Sequence, residues 1–232
     1  KMMNTNSNSY TIIYASVMVV IVAFVLAFTS ASLRDTQNKN VELDKMKQIL
    51  HALNVDTKGQ DAEKVYKEYV KADQILNAAG EVVAQEGGFK IDMKAELAKP
   101  LEKRQLPLYV CQVNGQTKYV LPLYGAGLWG PIWGYVGLND DKDSVFGVYF
   151  SHQGETPGLG AEISTSAFQA QFAGKKVMKD GAVALAVEKN GKVTEPDYQV
   201  DGISGGTITS KGVDAMLKVC LSQYDKFLTA NK

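Results

Sequence analysis

The stretch LYVCQVNGQTKYVLPL, residues 108–123, decides the fold class. Two apolar runs, LYVCQV and TKYVLPL, flank Asn114-Gly115. Asn-Gly between such runs is the strongest short hairpin signal, because both positions tolerate the positive φ of a tight turn. The spacing therefore predicts two antiparallel strands. Downstream, GPIWGYVGLNDDKDSVFGVYFS (130–151) reads as two more strands around an acidic turn. GAVALAVEKNGKV (181–193) offers a further strand pair with a second Asn-Gly, Asn190-Gly191. Between these sets, STSAFQAQFAGKK (164–176) reads as a short helix, with Ser164 or Thr165 as N-cap and Gly174 past its end. A final helix is expected from about Lys211 to Leu228, where Val213, Met216, Leu217, Cys220, Leu221, Tyr224, Phe227 and Leu228 fall on one stripe. Several hairpins and a few helices predict an α+β domain with a largely antiparallel sheet flanked by helices.

Working toward the N-terminus, the period changes. Ala62, Val65, Tyr66, Tyr69 and Val70 recur at helical spacing, as do Val41, Met46, Ile49, Leu50 and Leu53. The second set reads as a short amphipathic helix leaving a membrane. Residues 73–85 are ambiguous, with a turn signal at Ala78-Ala79-Gly80. Before that, YTIIYASVMVVIVAFVLAFTS (10–30) is apolar almost throughout, and no charged residue occurs from Met2 to Leu33. About 20 such residues cross a bilayer as a helix. Thr29, Ser30 and Ala31 also resemble a signal-peptide cleavage site, but the run is longer than the apolar core of a signal, and only Lys1 precedes it. A retained anchor is the expectation. Arg34, Lys39, Lys45 and Lys47 follow the span, so a simple positive-inside count puts the large domain in the cytoplasm; long domains translocate largely regardless of that count.

The 25 basic and 25 acidic residues of the 232-residue chain balance, which argues against a nucleic-acid binder. The two histidines, His51 and His152, are far apart, and there is no HExxH motif or paired CxxC. A zinc or iron–sulfur site built from this chain alone is not expected. Cys111 and Cys220 leave two possibilities, one disulfide or buried free thiols.

Ahead of the last helix stands DGISGGTITSKG (201–212), with four hydroxyl side chains around Gly205-Gly206. Thr207, Thr209 and Ser210 are each plausible N-caps. A cap explains one hydroxyl but not the glycine pair. Two glycines let backbone approach a ligand closely, and the helix N-terminus behind them offers free N–H groups and partial positive charge. Together they suit a phosphate, although the lysine of a P-loop is absent.

DGISGGT resembles the flavinylation motif Asp-x-x-(Ser/Thr)-Gly-Ala-Thr. Asp201, Ser204, Gly205 and Thr207 match it, and Gly206 stands where alanine is usual. Two further stretches extend the likeness: YGAGLWGPIWGYVGL (124–138) and SHQGETPGLGAEI (151–163). In order and content the chain resembles the NqrC family of the sodium-translocating NADH:quinone reductase (Na+-NQR), whose relative is RnfG of the Rnf ferredoxin:NAD reductase complex. The Gly-Leu-Trp-Gly stretch favours the former.

This resemblance implies FMN joined by a phosphoester to Thr207, attached by a Mg-dependent FAD:protein FMN transferase; Asp201 has two readings, a residue the transferase recognises or the turn residue of Asp201-Gly202. It implies that Ser204, Gly205, Gly206 and Thr209 surround the phosphate, and that Leu128, Trp129 and Gly130, with Trp133, offer faces to the ring. Glu155, Thr156, Gly158, Leu159 and Gly160 would line the site, Thr156 and the backbone N–H groups of Gly158 to Gly160 bonding polar edges and stabilising negative charge. His152 and Glu155 tempt an acid–base reading, but an electron carrier needs none, and His152 is expected to order its loop. The implied organisation is a tail (1–9), a transmembrane anchor (10–32), a juxtamembrane helical region of the extramembrane domain (33–100) and an FMN-binding domain (101–232). The implied role is a single-pass component of the bacterial inner membrane, its domain in the periplasm. It would relay electrons from a metal centre of partner subunits to the flavin of NqrB, with NqrB, NqrD and NqrE as partners. Outside the resemblance, two readings stay open: an anchored module holding a phosphorylated ligand non-covalently, and a hydrolase using Thr207 or Ser204 as nucleophile.

Overall fold

The computed structural model describes residues 7–230, so most of the expected tail, including Lys1, lies outside the described residues. Two compact units are present, residues 1–45 and 46–232. A single helix, α1 (Asn8–Ala52), runs without a break from the apolar span through the amphipathic stretch. The separate helix expected after the anchor is thus its continuation. No glycine or proline interrupts residues 8–52, so nothing ends the helix earlier. In the first unit Ile12, Val19, Phe24, Leu26 and Phe28 are all exposed. A helix apolar all round and uncovered by protein is one that lipid covers, and α1 is long and apolar enough to cross a membrane.

The second unit continues with α2 (Ala62–Tyr69), β1 (Val70–Leu76), β2 (Val82–Ala84), α3 (Met93–Leu97), β3 (Leu106–Val113), β4 (Gln116–Ala126), β5 (Pro131–Leu138) and β6 (Val145–His152). Then come α4 (Ser166–Gln169), β7 (Met178–Lys179), β8 (Ala182–Val183), β9 (Ala186–Glu188), β10 (Gln199–Asp201), α5 (Thr207–Ser222) and α6 (Asp225–Thr229). The main sheet has the order β2-β1-β3-β4-β5-β6, and every neighbouring pair is antiparallel. Asn114 and Gly115 both take positive φ (51° and 77°), closing β3 onto β4 as the sequence predicts.

Alternation along these strands serves two cores. Leu106, Leu108, Leu121, Leu123, Val136 and Phe150 share one core with Val213, Met216, Leu217 and Cys220 of α5. Tyr109, Cys111, Val120 and Tyr135 share the other with Ile49, Ala52 and Leu53 at the end of α1. Burial on both faces explains why the strands read as nearly continuous apolar runs.

The ambiguous residues 73–85 prove to be a hairpin edge of the sheet. Ile75 pairs with Ala84, and β1 lies along β3. Its polar residues hid the strand pattern; Asp73 uses its carboxylate to accept the Gly87 and Phe89 N–H groups (3.2 and 2.9 Å). The second Asn-Gly behaves differently. β9 does not fold back across Asn190-Gly191 but pairs in parallel with β10. Pro196 cannot donate to a ladder, and the Gln199 side-chain oxygen instead takes the Thr194 and Glu195 N–H groups (2.9 Å each). Thr165 caps α4 as expected, accepting from Phe168 N–H (3.4 Å).

The last predicted helix starts four residues early and divides into α5 and α6. Tyr224 sits at the break, fully buried, its hydroxyl donating to Pro107 C=O (2.8 Å). All eight stripe residues are buried. Cys111 and Cys220 are free and buried. Burial pushes the Cys111 thiol up to about 12 and that of Cys220 up to about 11.

Candidate functional site

α5 enters the fold with its inner side committed. Ser210 is buried, and its hydroxyl accepts Ile203 N–H (2.9 Å), folding the glycine loop back onto the helix. Thr209 is also buried and donates to Glu155 Oε2 (2.5 Å). Neither caps the helix. The N-cap is Gly206, which supplies no side chain. Ser210 N–H bonds Gly206 C=O (2.9 Å), and no side chain caps the N–H groups of Thr207, Ile208 and Thr209 before it. Thr207 is the first helical residue and, like Ser204, is exposed. Its hydroxyl has no partner among the described residues. None of the three plausible N-caps, Thr207, Thr209 and Ser210, caps the helix, and the exposed Thr207 and Ser204 hydroxyls remain available.

Glycine is required around this turn. Gly205 has φ +77°, and a Cβ there would lie 2.7 Å from Leu159 Cδ2. A Cβ on Gly160 would overlap both Glu155 Oε2 and Thr209 Oγ1. The GISGGT loop, the ETPGLG segment and the start of α5 therefore meet at backbone distance. The third segment, Gly127 to Gly130, joins through Glu155. This carboxylate is buried, and its Oε1 accepts Trp129 N–H (2.8 Å). Gly127 N–H donates to Gly130 C=O (2.8 Å), which turns the loop so that Leu128 and Trp129 project outward.

The segments that meet around Thr207 carry exposed apolar side chains. Leu128, Trp129, Leu159 and Ile208 are all exposed, Trp129 to 68%. Thr207 also lines a cavity of about 490 Å³, with Ser204, Gly205, the cations Lys189, Lys211 and Lys218, and the carboxylates Glu188 and Asp214. Lys189 and Lys211 form no ion pair among the described residues; Lys218 pairs with Asp214 (2.8 Å), which also accepts Val187 N–H (3.0 Å). The cavity lies within the size range of small-molecule sites. Uncapped helix N–H groups and ammonium groups favour a phosphate, and the apolar rim suits a planar ring. The residues present therefore fit an FMN whose phosphate lies at Thr207.

The remaining predicted residues are placed as follows. Asp201 is half-buried in β10; its carboxylate accepts Gly191 N–H (2.6 Å), and its own N–H donates to Gln171 (3.0 Å). Thr156 is exposed, and its carbonyl accepts the Leu159 and Ala161 N–H groups (3.1 Å each). Gly158 N–H donates to Glu162 Oε1 (2.9 Å). His152 orders its loop as expected, Nδ1 accepting Glu155 N–H (3.1 Å). Trp133 is a correction. It lies on the sheet face opposite α5, where its indole N–H donates to Gln48 (3.2 Å), because alternation along β5 sends Ile132 and Trp133 to opposite faces. Lys189, Lys211, Lys218 and Ile208 were missed by the sequence reading. Thr207, Lys211, Asp214 and Lys218 recur at i, i+4, i+7 and i+11, and that spacing was the available signal.

Residues 127–222 match the FMN-binding domain family. The chain is 31% identical to the NqrC component of the Na(+)-translocating NADH-quinone reductase of Haemophilus ducreyi, over 93% of this chain and 90% of the relative. It is 32% identical to that of Pasteurella multocida, over 95% and 92%. Among solved structures, the same component from Parabacteroides distasonis superposes with a TM-score of 0.80 at 47% identity, covering 86% of this chain and 98% of that one. Shewanella oneidensis NqrC, at 24% identity, shares the fold with a TM-score of 0.69, covering 83% and 100%. With its apolar anchor helix and its match to the FMN-binding domain, the chain belongs to the NqrC family of the Na(+)-translocating NADH-quinone reductase, an oxidoreductase complex.

Proposed function

We propose that this chain is the membrane-anchored electron-transfer subunit of such a complex and that it carries FMN on Thr207 through a phosphoester. The observation that carries the reading is the exposed Thr207 hydroxyl at an uncapped helix N-terminus, between an apolar rim and a lysine-lined cavity. FMN supplies one-electron redox chemistry when bound. The chain's residues hold it. The N–H groups of Thr207 to Thr209 and the ammonium groups of Lys189 and Lys211 would hold the phosphodiester, which would retain about one negative charge. Leu128, Trp129, Leu159 and Ile208 would offer the ring an apolar surface. Ser204 and Gly205 line the cavity where the ester would lie, and Gly206 and Gly160 let the segments behind it pack closely. Gly130, Thr156 and Gly158 shape the loops around it, and Asp201 fixes the approach to the loop that a transferase must recognise.

Attachment replaces one bond with another. Thr207 Oγ1 bonds to the phosphorus on the FMN side of FAD, the anhydride bond breaks, and AMP leaves. Among the described residues no histidine lines the cavity at Thr207, and its carboxylates are engaged, Asp214 by Lys218 and Val187 N–H and Glu188 by Gln199. A separate FAD:protein FMN transferase therefore takes the hydroxyl proton. The same lack of a base speaks against a hydrolase. In this reading residues 10–32 are the anchor, 33–100 lead into the extramembrane domain, and the cofactor part lies within 101–232. The domain faces the periplasm, where a covalent link retains an exposed cofactor. Electrons pass from a metal centre of partner subunits to the flavin of NqrB, with NqrB, NqrD and NqrE as neighbours.

Intact-mass measurement tests the link. Full-length chain coproduced with an active transferase is expected to gain the mass of FMN less water, on the peptide containing Thr207. An unmodified, colourless chain under those conditions overturns the reading.

A further inference from the structure

We infer that Glu155 is the positioning residue of this site, a buried clamp that ties three chain segments together without serving as an acid or base. The inference rests on the proposed flavin reading only for its consequence, not for its geometry. Glu155 is 5% exposed, and both carboxylate oxygens are committed. Oε1 accepts the backbone N–H of Trp129 (2.8 Å), in the loop carrying the exposed apolar rim. Oε2 accepts the Thr209 hydroxyl (2.5 Å), in the first turn of the helix carrying Thr207. Its own N–H is held by His152 (3.1 Å), at the end of β6.

Glycines on both sides make room for the carboxylate. A Cβ on Gly127 would lie 2.5 Å from Oε1, and one on Gly160 would overlap Oε2. The two arms are 26 and 54 residues away in sequence. No strand pairing holds Leu128-Trp129 to the start of α5; Gly212 packs α5 closely on Ala126 and Gly127, and beyond that contact Glu155 ties the loop that carries the apolar side chains to the turn that carries the acceptor hydroxyl. A buried carboxylate with two donors is stable, whereas removing it strands an N–H and an O–H away from water.

The chemistry separates geometry from charge. In Glu155→Gln the amide oxygen still accepts Trp129 N–H, and the amide nitrogen donates to Thr209 Oγ1, reversing one hydrogen bond and removing the charge. Glu155→Ala removes both arms. Glu155→Asp is one methylene short and cannot span them.

Amide hydrogen exchange on the full-length, FMN-free chain in detergent tests the clamp directly. Trp129 N–H is expected to exchange about tenfold or more faster in Glu155→Ala and Glu155→Asp than in the wild type, and near the wild-type rate in Glu155→Gln. With transferase and FAD present, the initial rate of FMN attachment is expected to fall several-fold in the Ala and Asp variants and to be rescued in Gln. Should Glu155→Ala not fold, Thr209→Val carries the test. It removes one arm and is expected to speed exchange at Trp129, which it does not touch. Wild-type protection at Trp129 in Glu155→Ala, or in Thr209→Val, overturns the clamp; so does a Gln variant as impaired as Ala. Because exchange is read without cofactor, a chain that never accepts FMN yet follows this pattern removes the flavin reading and leaves the clamp standing.

Discussion

The buried and exposed sides of the loop and first turn of α5 make different use of the same chemical group. Ser204, Thr207, Thr209 and Ser210 all carry hydroxyls within seven residues. Thr209 and Ser210 are buried and spend theirs on Glu155 and on Ile203 N–H. Ser204 and Thr207 are exposed, beside a lysine-lined cavity. The inner pair builds the platform, and the outer pair is left for chemistry. A residue type before a helix therefore says little until its side of the helix is known.

The largest effect should come from the outer side. Thr207→Ala is expected to abolish covalent FMN entirely while changing unfolding free energy by less than about 0.5 kcal/mol, because the side chain is exposed and unpartnered. Intact mass and denaturant unfolding on the same preparation check both halves, and a large stability loss would break the contrast.

The inner side should behave oppositely. Ser210→Ala strands Ile203 N–H in a half-buried loop, and Thr209→Val strands Glu155 Oε2; each is expected to cost about 1–3 kcal/mol in urea unfolding. If either variant unfolds like the wild type, the platform does not depend on that hydroxyl.

A pH series sharpens the contrast further. Burial raises the thiols of Cys111 to about 12 and Cys220 to about 11 from an ordinary 9.0, and it raises the phenols of Tyr66, Tyr109, Tyr135 and Tyr224 above their ordinary 10.0. A folded-state acid with a raised value binds more protons than the unfolded chain. Its contribution is complete below about pH 9 and is lost as the pH rises above that. Unfolding midpoints are expected to fall steadily above about pH 9. If FMN is esterified to Thr207 as proposed, it is expected to stay on the chain as the fold is lost.

The smallest effect belongs to Ser204→Ala, exposed and outside the helix. It is expected to shift stability by no more than about 0.5 kcal/mol, and the fraction of chain carrying FMN is the quantity to compare with Thr207→Ala.

The sequence by itself determined the elements whose signals are local. Asn114-Gly115 lies between two apolar runs, so the turn and both strands agree with one another. The 21-residue, largely apolar stretch from Tyr10 to Ser30 and the eight-residue stripe of the last helix are equally local signals. The three glycine-rich segments could be read in the same way, because glycine marks where backbone must come close. The tertiary structure alone decided which groups those segments bring together. Asn190-Gly191 has the same dipeptide as the hairpin, yet its following chain is held elsewhere by Gln199. Trp133 turns to the far face because β5 alternates, and Glu155 becomes the link between Trp129 and Thr209 only once three distant loops converge. Local propensity acts over a few residues, whereas the partner of a buried polar group is chosen by whatever the fold places within about 3 Å of it.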